Sequence, residues 1–402
     1  MNVLFMTLLY PDELYAEACA NAKTGIQNQI NSYQKAFIEG IDACLEDGES
    51  LSIVNALPVG IFPRHYRKLF LKSATYDHGR LLELGGINLP WVKQKMRMHR
   101  AEKALLKWTQ ESSANRTVLI YTIYLPYLQA ILRVKKKVPD LKVSVIVTDL
   151  PNEFGLSSGR KGLFKRIEYS RGRKQLALCK AMDGFVLLTE PMAEVLQCED
   201  KPRIVIEGLI STESAINRSV HENEGVPTVL YTGTLSSELG IMEMMQAFAD
   251  LPQFRLRICG TGELEQQVRQ FADEHANIQY EGFVSHEQAL AFQAEAAALI
   301  NPRSPSGLFT KYSFPSKTLE YMRSGKPVIC YHLEGIPADY DPFLHYISAP
   351  GKEGIAAAVQ SLFRLTSAQR EELGTSARQY VLATKNPQAQ CQKLVSFLRS
   401  LI

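Results

Sequence analysis

Nowhere in the 402 residues do about 18 apolar residues run together, so no segment reads as a membrane-crossing helix. Seven cysteines, at positions 19, 44, 179, 198, 259, 330 and 391, form no close pair and no metal-ligand spacing. That pattern fits a reducing compartment and no structural zinc. The opening MNVLFMTLLYPDE has no basic residue ahead of its apolar run, and acids follow at once. It therefore reads as a first strand rather than a secretory leader. No internal repeat or low-complexity tract is found. These absences lead to the expectation of a soluble protein on the cytosolic side.

A more local absence is the most telling one. From Arg303 to Leu319 there is no acid at all, yet Arg303, Lys311 and Lys317 crowd around a helix start. From Pro315 the residues suit a helix, Gly325 can end it in the left-handed conformation, and Pro327 forbids its continuation. Cations and the exposed amides of a helix start together favour an anion of two or more charges, such as a diphosphate. A solvated loop with its lysines turned outward is the bland alternative.

What is present is ordinary globular composition, 46% apolar and 22% charged, and long enough for two domains with separate cores. The formal net charge of +3 conceals an asymmetry. Residues 1–50 carry 2 Lys/Arg against 8 Asp/Glu, whereas residues 51–180 carry 25 against 8. One part of the molecule therefore faces something anionic or is simply well solvated.

Short β-rich runs alternate with helical periodicity along the whole chain. NVLFMTLLY, LSIVNALPV, TVLIYTIY, KVSVIVTDL, GFVLLTE and RIVIEGL are near-continuous apolar strands, as parallel strands buried on both faces must be. A helix is expected over 28–46, with Ile30, Tyr33, Phe37, Ile41 and Cys44 on one face. A polar stretch without periodicity, 211–226, reads as a linker. A second series follows: TVLYTGTL, RLRICGTG, NIQYEGFV, ALINPR, PVICYH and HYISAP. The expected class is α/β, with two doubly wound Rossmann-like domains facing each other across a cleft. The domains are expected at 1–210 and 227–384, with a helix over 385–402 returning to the first. Ligands of such sheets bind at the carboxyl ends of the strands.

Three further loops of the second domain stand at strand ends. YTGTLSSELGI (231–241) puts Gly233 where a phosphate can approach the backbone, with Thr234 beside it. CGTGELEQQ (259–267) is Gly-x-Gly, but Glu265 occupies the third glycine position of a dinucleotide fingerprint, which argues against a dehydrogenase. YEGFVSHEQ (280–288) carries Ser285 and Gln288 as a capping box, and Gly282, Phe283 and Val284 could present backbone groups to a flat base or form an ordinary turn.

These stretches, together with KYSFPSKTLEYMRSGKPVI (311–329), resemble the donor-binding domain of the family-4 retaining glycosyltransferases with the GT-B fold. The resemblance is to the subset that builds bacterial surface polysaccharides, with FPSK-x-x-EY in place of a more familiar acidic motif. It covers 227 to about 332 well and the first domain only in topology. It implies that Glu320 matches the second glutamate of the family's E-x(7)-E motif and holds the ribose hydroxyls. A carboxylate suits a diol because it accepts two hydrogen bonds. Gly282, Phe283 and Val284 match the loop that reads the base, and Ser316 and Lys317 the helix start that holds the diphosphate. Tyr312 departs from the family by standing where the first glutamate would be. Thr234 and Leu239 stand where an Arg and a Lys are usual, and Arg303, Lys311 and Lys317 offer replacement charge for the leaving group.

In the first domain Gly25, in Thr24–Gln27, lies where the family places a glycine close to the donor phosphates, although a helix-entry turn reads equally well. Asp149, at the end of KVSVIVTDL, is a candidate for orienting the acceptor hydroxyl, although a strand-end aspartate is more often a cap. Tyr121 and Tyr124 lie where many relatives carry histidines, so no catalytic histidine is assigned. On a helical wheel over 91–108, Lys93, Arg97, Arg100, Lys103 and Lys107 share one face, opposite Trp91, Met98, Ala101, Leu105 and Trp108. That face suits a solvated surface or contact with anionic lipid on the inner side of a cell membrane.

The resulting expectation is a metal-independent, retaining glycosyltransferase with no cofactor beyond a UDP- or GDP-linked sugar donor. Its acceptor would be a saccharide, lipid-linked, in cell-surface polysaccharide assembly, and nucleic acid plays no part. The rival reading is a non-catalytic GT-B partner subunit that binds a nucleotide sugar or another transferase.

Overall fold

The computed structural model describes residues 1–112, 115–151, 163–210, 225–307 and 310–402. Most of the 211–226 stretch read as a linker lies outside these. The chain divides into two compact units, Met1–Leu209 with Pro387–Ile402, and Ile210–Asn386.

The first unit is built on an eight-stranded sheet. Its order is Arg203–Val205, Gly184–Leu187, Lys142–Val147, Arg116–Tyr121, Asn2–Thr7, Ser50–Asn55, Leu81–Glu83 and Ala74–Tyr76. Every neighbouring pair is parallel except the last. Valine- and isoleucine-rich runs such as Lys142–Val147 lie buried along almost their whole length, as helices on both faces require. The helix Asn28–Asp42 covers one face with Phe37 and Ile41. The helix Pro387–Ser400 packs beside it through Cys391, Leu394 and Leu398, and Arg399 donates to Glu49 at 2.7 Å.

Two features of this unit differ from the expectation. An unanticipated helix, Asp12–Asn21, lies between the first strand and Asn28–Asp42, so Gly25 sits between two helices. The basic face of the helix Val92–Glu111 is also only partly a surface: Lys93 and Arg97 are buried, whereas Lys103 and Lys107 are exposed. The Lys93 ammonium donates to the carbonyl of Val59, and the Arg97 guanidinium donates to the carbonyl of Leu57 and, at 3.0 Å, to Tyr124. Both cations thereby fix the segment after the strand Ser50–Asn55. Burial, with the Arg97 charge adding, pulls Lys93 down to about 7. Glu83, also buried, accepts from Asn55 at 2.6 Å and from the Leu57 amide at 3.0 Å. The wheel also misplaced Trp91, which is 81% exposed and sits at φ +63° just ahead of the helix.

The second unit has a six-stranded, fully parallel sheet. Its order is Ile278–Gly282, Arg255–Cys259, Thr228–Thr232, Ala298–Asn301, Val328–Tyr331 and His345–Ile347. Numbered along the chain this is 3-2-1-4-5-6, the doubly wound order whose direction reverses between strands 1 and 4. The core holds Leu230, Phe248, Leu299, Ile329 and Val359 from both faces of the sheet.

Candidate functional site

The reversal point of the second sheet puts the carboxyl ends of Thr228–Thr232 and Ala298–Asn301 side by side. The loops leaving those ends touch. A side chain at Gly240 would stand 2.3 Å from the carbonyl oxygen of Pro302, so only glycine lets them meet. Its φ of +74° is a second reason. The Gly233 loop is also stitched to the Gly-x-Gly loop, through Gly233 N to Cys259 O at 3.0 Å and Leu235 N to Thr261 O at 2.9 Å. Thr234 is exposed, and its carbonyl accepts from the Tyr231 hydroxyl at 2.8 Å.

The helix Ser316–Ser324 begins directly after Pro315 and ends at Gly325, which adopts the left-handed conformation at φ +78°. Its first turn is fixed over both strand ends. Tyr321, fully buried, accepts a hydrogen bond from the Thr232 amide at 2.8 Å and donates to the Thr232 carbonyl at 3.0 Å. Asn301 Nδ2 donates to Thr318 Oγ1 at 3.4 Å. Ser316 is exposed at the helix start, where a helix leaves amides without intrahelical partners; that of Thr318 is bonded to the Pro315 carbonyl at 2.8 Å.

Arg303 and Lys311 belong to the loop that leads into this helix. The half-buried Arg303 donates to the Ser313 hydroxyl across its own loop. Burial pulls its guanidinium down to about 10, still fully charged at neutral pH. Lys311 lies 5.6 Å from the ring centre of the buried Tyr312. Lys317 is different. Its ammonium reaches Glu320 on the same helix, at 3.1 Å from Oε1 and 2.9 Å from Oε2. The acid-free stretch in the sequence stops one residue short of the partner that Lys317 uses.

Glu320 has a second partner that the sequence reading missed. Gln293, in the helix His286–Glu295, donates from Nε2 to Glu320 Oε1 at 2.7 Å. That helix starts with the anticipated capping box: Ser285 accepts from the Gln288 amide at 3.2 Å, and the Ser285 amide donates to Gln288 Oε1 at 3.1 Å. Just before it come Gly282 at φ +73°, Phe283 at 80% exposed, and Val284 packed against the core. The base-loop candidates and the ribose candidate are thus joined through one helix. A glutamine in the stripe Ala289, Gln293, Ala296, otherwise apolar and buried, was the available signal.

Gly233, Thr234 and Arg303 follow the two strands that meet at the reversal point. Ser316, Lys317 and Glu320 stand on the helix that Tyr321 anchors there, and Lys311 lies in the loop that enters this helix. Gly282–Val284 are linked to Glu320 through Gln293. Gly25 and Asp149 belong to the first unit, and the structure gives no tie between them. Gly25 is exposed with open space around it. Asp149, also exposed, follows the strand Lys142–Val147 and accepts from Thr148 Oγ1 at 3.3 Å. Tyr121 is buried at the end of its strand, and Tyr124 donates to Gln94 at 2.8 Å.

Residues 213–380 match the family model described as glycosyl transferases group 1. That match lies within the second unit, and both sheets together have the GT-B fold. No curated protein sequence matches the chain. Among solved structures, sucrose-phosphate synthase from Thermosynechococcus elongatus aligns at a TM-score of 0.61 and 14% identity, covering 100% of this chain and 99% of that one. The lipopolysaccharide outer core galactosyltransferase WaaB, in its apo form, aligns at 0.60 and 12%, covering 100% of both chains. A trehalose-6-phosphate protein from E. coli bound with UDP-2-fluoro glucose aligns at 0.61 and 9%, again over 100% of both. At these identities the likeness concerns the fold. Among the described residues no helix is long and apolar enough to cross a membrane.

Proposed function

We propose that this glycosyltransferase moves a sugar, with retention and without a metal ion, from a UDP- or GDP-linked donor to a lipid-linked saccharide in cell-surface polysaccharide assembly. The observation that carries this reading is Glu320, fixed one helical turn from an exposed helix start at the reversal point of the donor-side sheet. In this reading its carboxylate accepts the ribose diol. The amides from Ser316 onward, Gly233 and Thr234 hold the diphosphate. Gly282–Val284 meet the base, with the exposed Phe283 offering a face to it.

Bond breaking leaves negative charge on the diphosphate, and in this reading Arg303 and Lys311 offset it. Donors aimed at developing charge act where it grows, and a helix start needs no reorganisation to do so. Lys317 can join them only by leaving Glu320. On the acceptor side we assign Asp149 to orient the hydroxyl and Gly25 to leave room beside the phosphates. Two structural neighbours, a lipopolysaccharide galactosyltransferase and a protein bound to a UDP sugar, support the substrate class.

For the membrane face, the burial of Lys93 and Arg97 removes two of the five cations first invoked. The exposed Phe70 and Trp91, with the exposed Lys72 and Lys95, replace them in this reading. Tryptophan and lysine together suit a lipid headgroup layer.

Incubation with a panel of nucleotide sugars tests the proposal. A donor held at tens of times its dissociation constant should stabilise the fold by about 2 kcal/mol, and release of nucleoside diphosphate should follow when acceptor is added. The buried Tyr312, in place of a carboxylate, favours the second reading, a non-catalytic sugar-nucleotide-binding subunit. Donor binding with neither hydrolysis nor transfer would select it.

A further inference from the structure

Gln293 is fully buried, on the face of its helix that also carries Ala289. Only one end of its amide is used. Nε2 donates to Glu320 at 2.7 Å, whereas Oε1 is buried without a hydrogen-bond partner. The orientation is fixed by chemistry, because an ionised carboxylate only accepts hydrogen bonds. A leucine or methionine at this position would pack without leaving a buried oxygen unpaired. The amide is therefore a poor choice for the core and a good one for the carboxylate beside it.

The lone pairs of Glu320 separate its two partners. A carboxylate has about four acceptor positions. Gln293 takes one on Oε1, and Lys317 takes one on each oxygen. One is left, on Oε2, whereas a diol needs two. Lys317 has a partly exposed side chain and can rotate toward a phosphate. Gln293 is enclosed and has nowhere else to donate.

We infer that Gln293 is a positioning residue for the donor. It stays on Glu320 when Lys317 departs, and turns the remaining lone pairs of the carboxylate toward the ribose hydroxyls. Because its helix begins directly behind Gly282–Val284, it also sets the spacing between the base loop and the ribose carboxylate. This inference rests on the reading of Glu320 as the ribose ligand.

The test compares UDP and GDP with their 2′,3′-dideoxy forms, by calorimetry, on the full chain and on Gln293→Leu and Glu320→Ala. The parent should prefer the ribose form of the nucleotide it binds. Gln293→Leu should shrink that preference about tenfold, the loss of one well-aimed charged hydrogen bond. Its affinity for the dideoxy form should be unchanged and its melting temperature equal to or above the parent's. If leucine does not fold, Gln293→Met, unbranched and of nearly the same length, replaces it. An undiminished preference in the folded variant overturns the inference and leaves the donor site standing. Equal weakening of both nucleotide forms overturns it too, since that is what a purely structural role gives. If Glu320→Ala itself keeps the preference, the donor-site reading fails first, and the inference goes with it.

Discussion

The hydroxyl of Tyr321 lies 2.8 Å from the backbone nitrogen of Thr232 and 3.0 Å from its carbonyl oxygen. One buried side chain thus closes the end of the first strand of the second unit's sheet and holds the helix Ser316–Ser324 above it. Tyr321→Phe keeps the ring but leaves the buried Thr232 amide short of a partner. Stability should fall by about 1–3 kcal/mol, read by urea denaturation. Donor affinity should fall as well, because the helix start then lacks its anchor.

Glu320→Ala should abolish measurable transfer while the protein stays folded. Loss of a charge-assisted pair of hydrogen bonds should weaken donor binding about 10–100-fold. Near-normal donor affinity in this variant would remove Glu320 from the site.

Arg303→Ala and Lys311→Ala should each lower kcat about 10²–10³-fold if the cations face the leaving group. Arg303→Lys should restore only part, because a point charge does not reproduce the planar fork. Lys317→Ala should cost least, as that ammonium is shared with Glu320. Affinity for free nucleoside diphosphate should fall in parallel, and affinity for the nucleoside should not. Variants that bind the diphosphate as the parent does would assign these cations to the surface.

The buried Lys93 predicts a pH dependence of stability. Its folded-state value of about 7 lies below the ordinary lysine value of 10.5, with Arg97 and Glu83 facing it. Between those values the unfolded chain binds more protons than the folded one, so this group makes stability rise with pH from about 7 upward. Below 7 its unfavourable effect is fully present. Lys93→Met should flatten that part of the profile, measured as the urea midpoint between pH 6 and pH 9. A parent profile with no rise over this range would show that Lys93 stays charged inside the fold.

Membrane contact is checked by sedimentation with anionic vesicles at low salt. Trp91→Ala combined with Lys95→Glu should reduce binding several-fold, and added salt should weaken the parent's binding too. A parent that ignores such vesicles leaves the exposed Trp91 without this role.

Much of the architecture was legible because parallel strands leave a plain mark. Runs such as KVSVIV and TVLIY are apolar on both faces, and no amphipathic helix imitates them. The strands Phe70–Leu71, Ala74–Tyr76, Leu81–Glu83 and Gly86–Ile87 were missed. At two or three residues each, they are too short to show a period. The helix start at Ser316 and its stop at Gly325 could be read from proline and glycine alone. The partners of charged groups could not. Lys93 and Arg97 look like a solvated face on any wheel, because the carbonyls of Val59 and Leu57 that bury them lie far away in sequence. Gln293 was likewise hidden, since the glutamate it holds sits on another helix.

The helix Pro387–Ser400 belongs to the first unit, yet it is encoded after the whole of the second. During synthesis the sheet begun by Asn2–Thr7 must wait, with Phe37 and Ile41 lacking their cover, until roughly 180 further residues have left the ribosome. The second unit ends only 16 residues before the chain does. Both units therefore reach completion together, late in synthesis, and until then the uncovered Phe37 and Ile41 give a chaperone apolar surface on the N-terminal side.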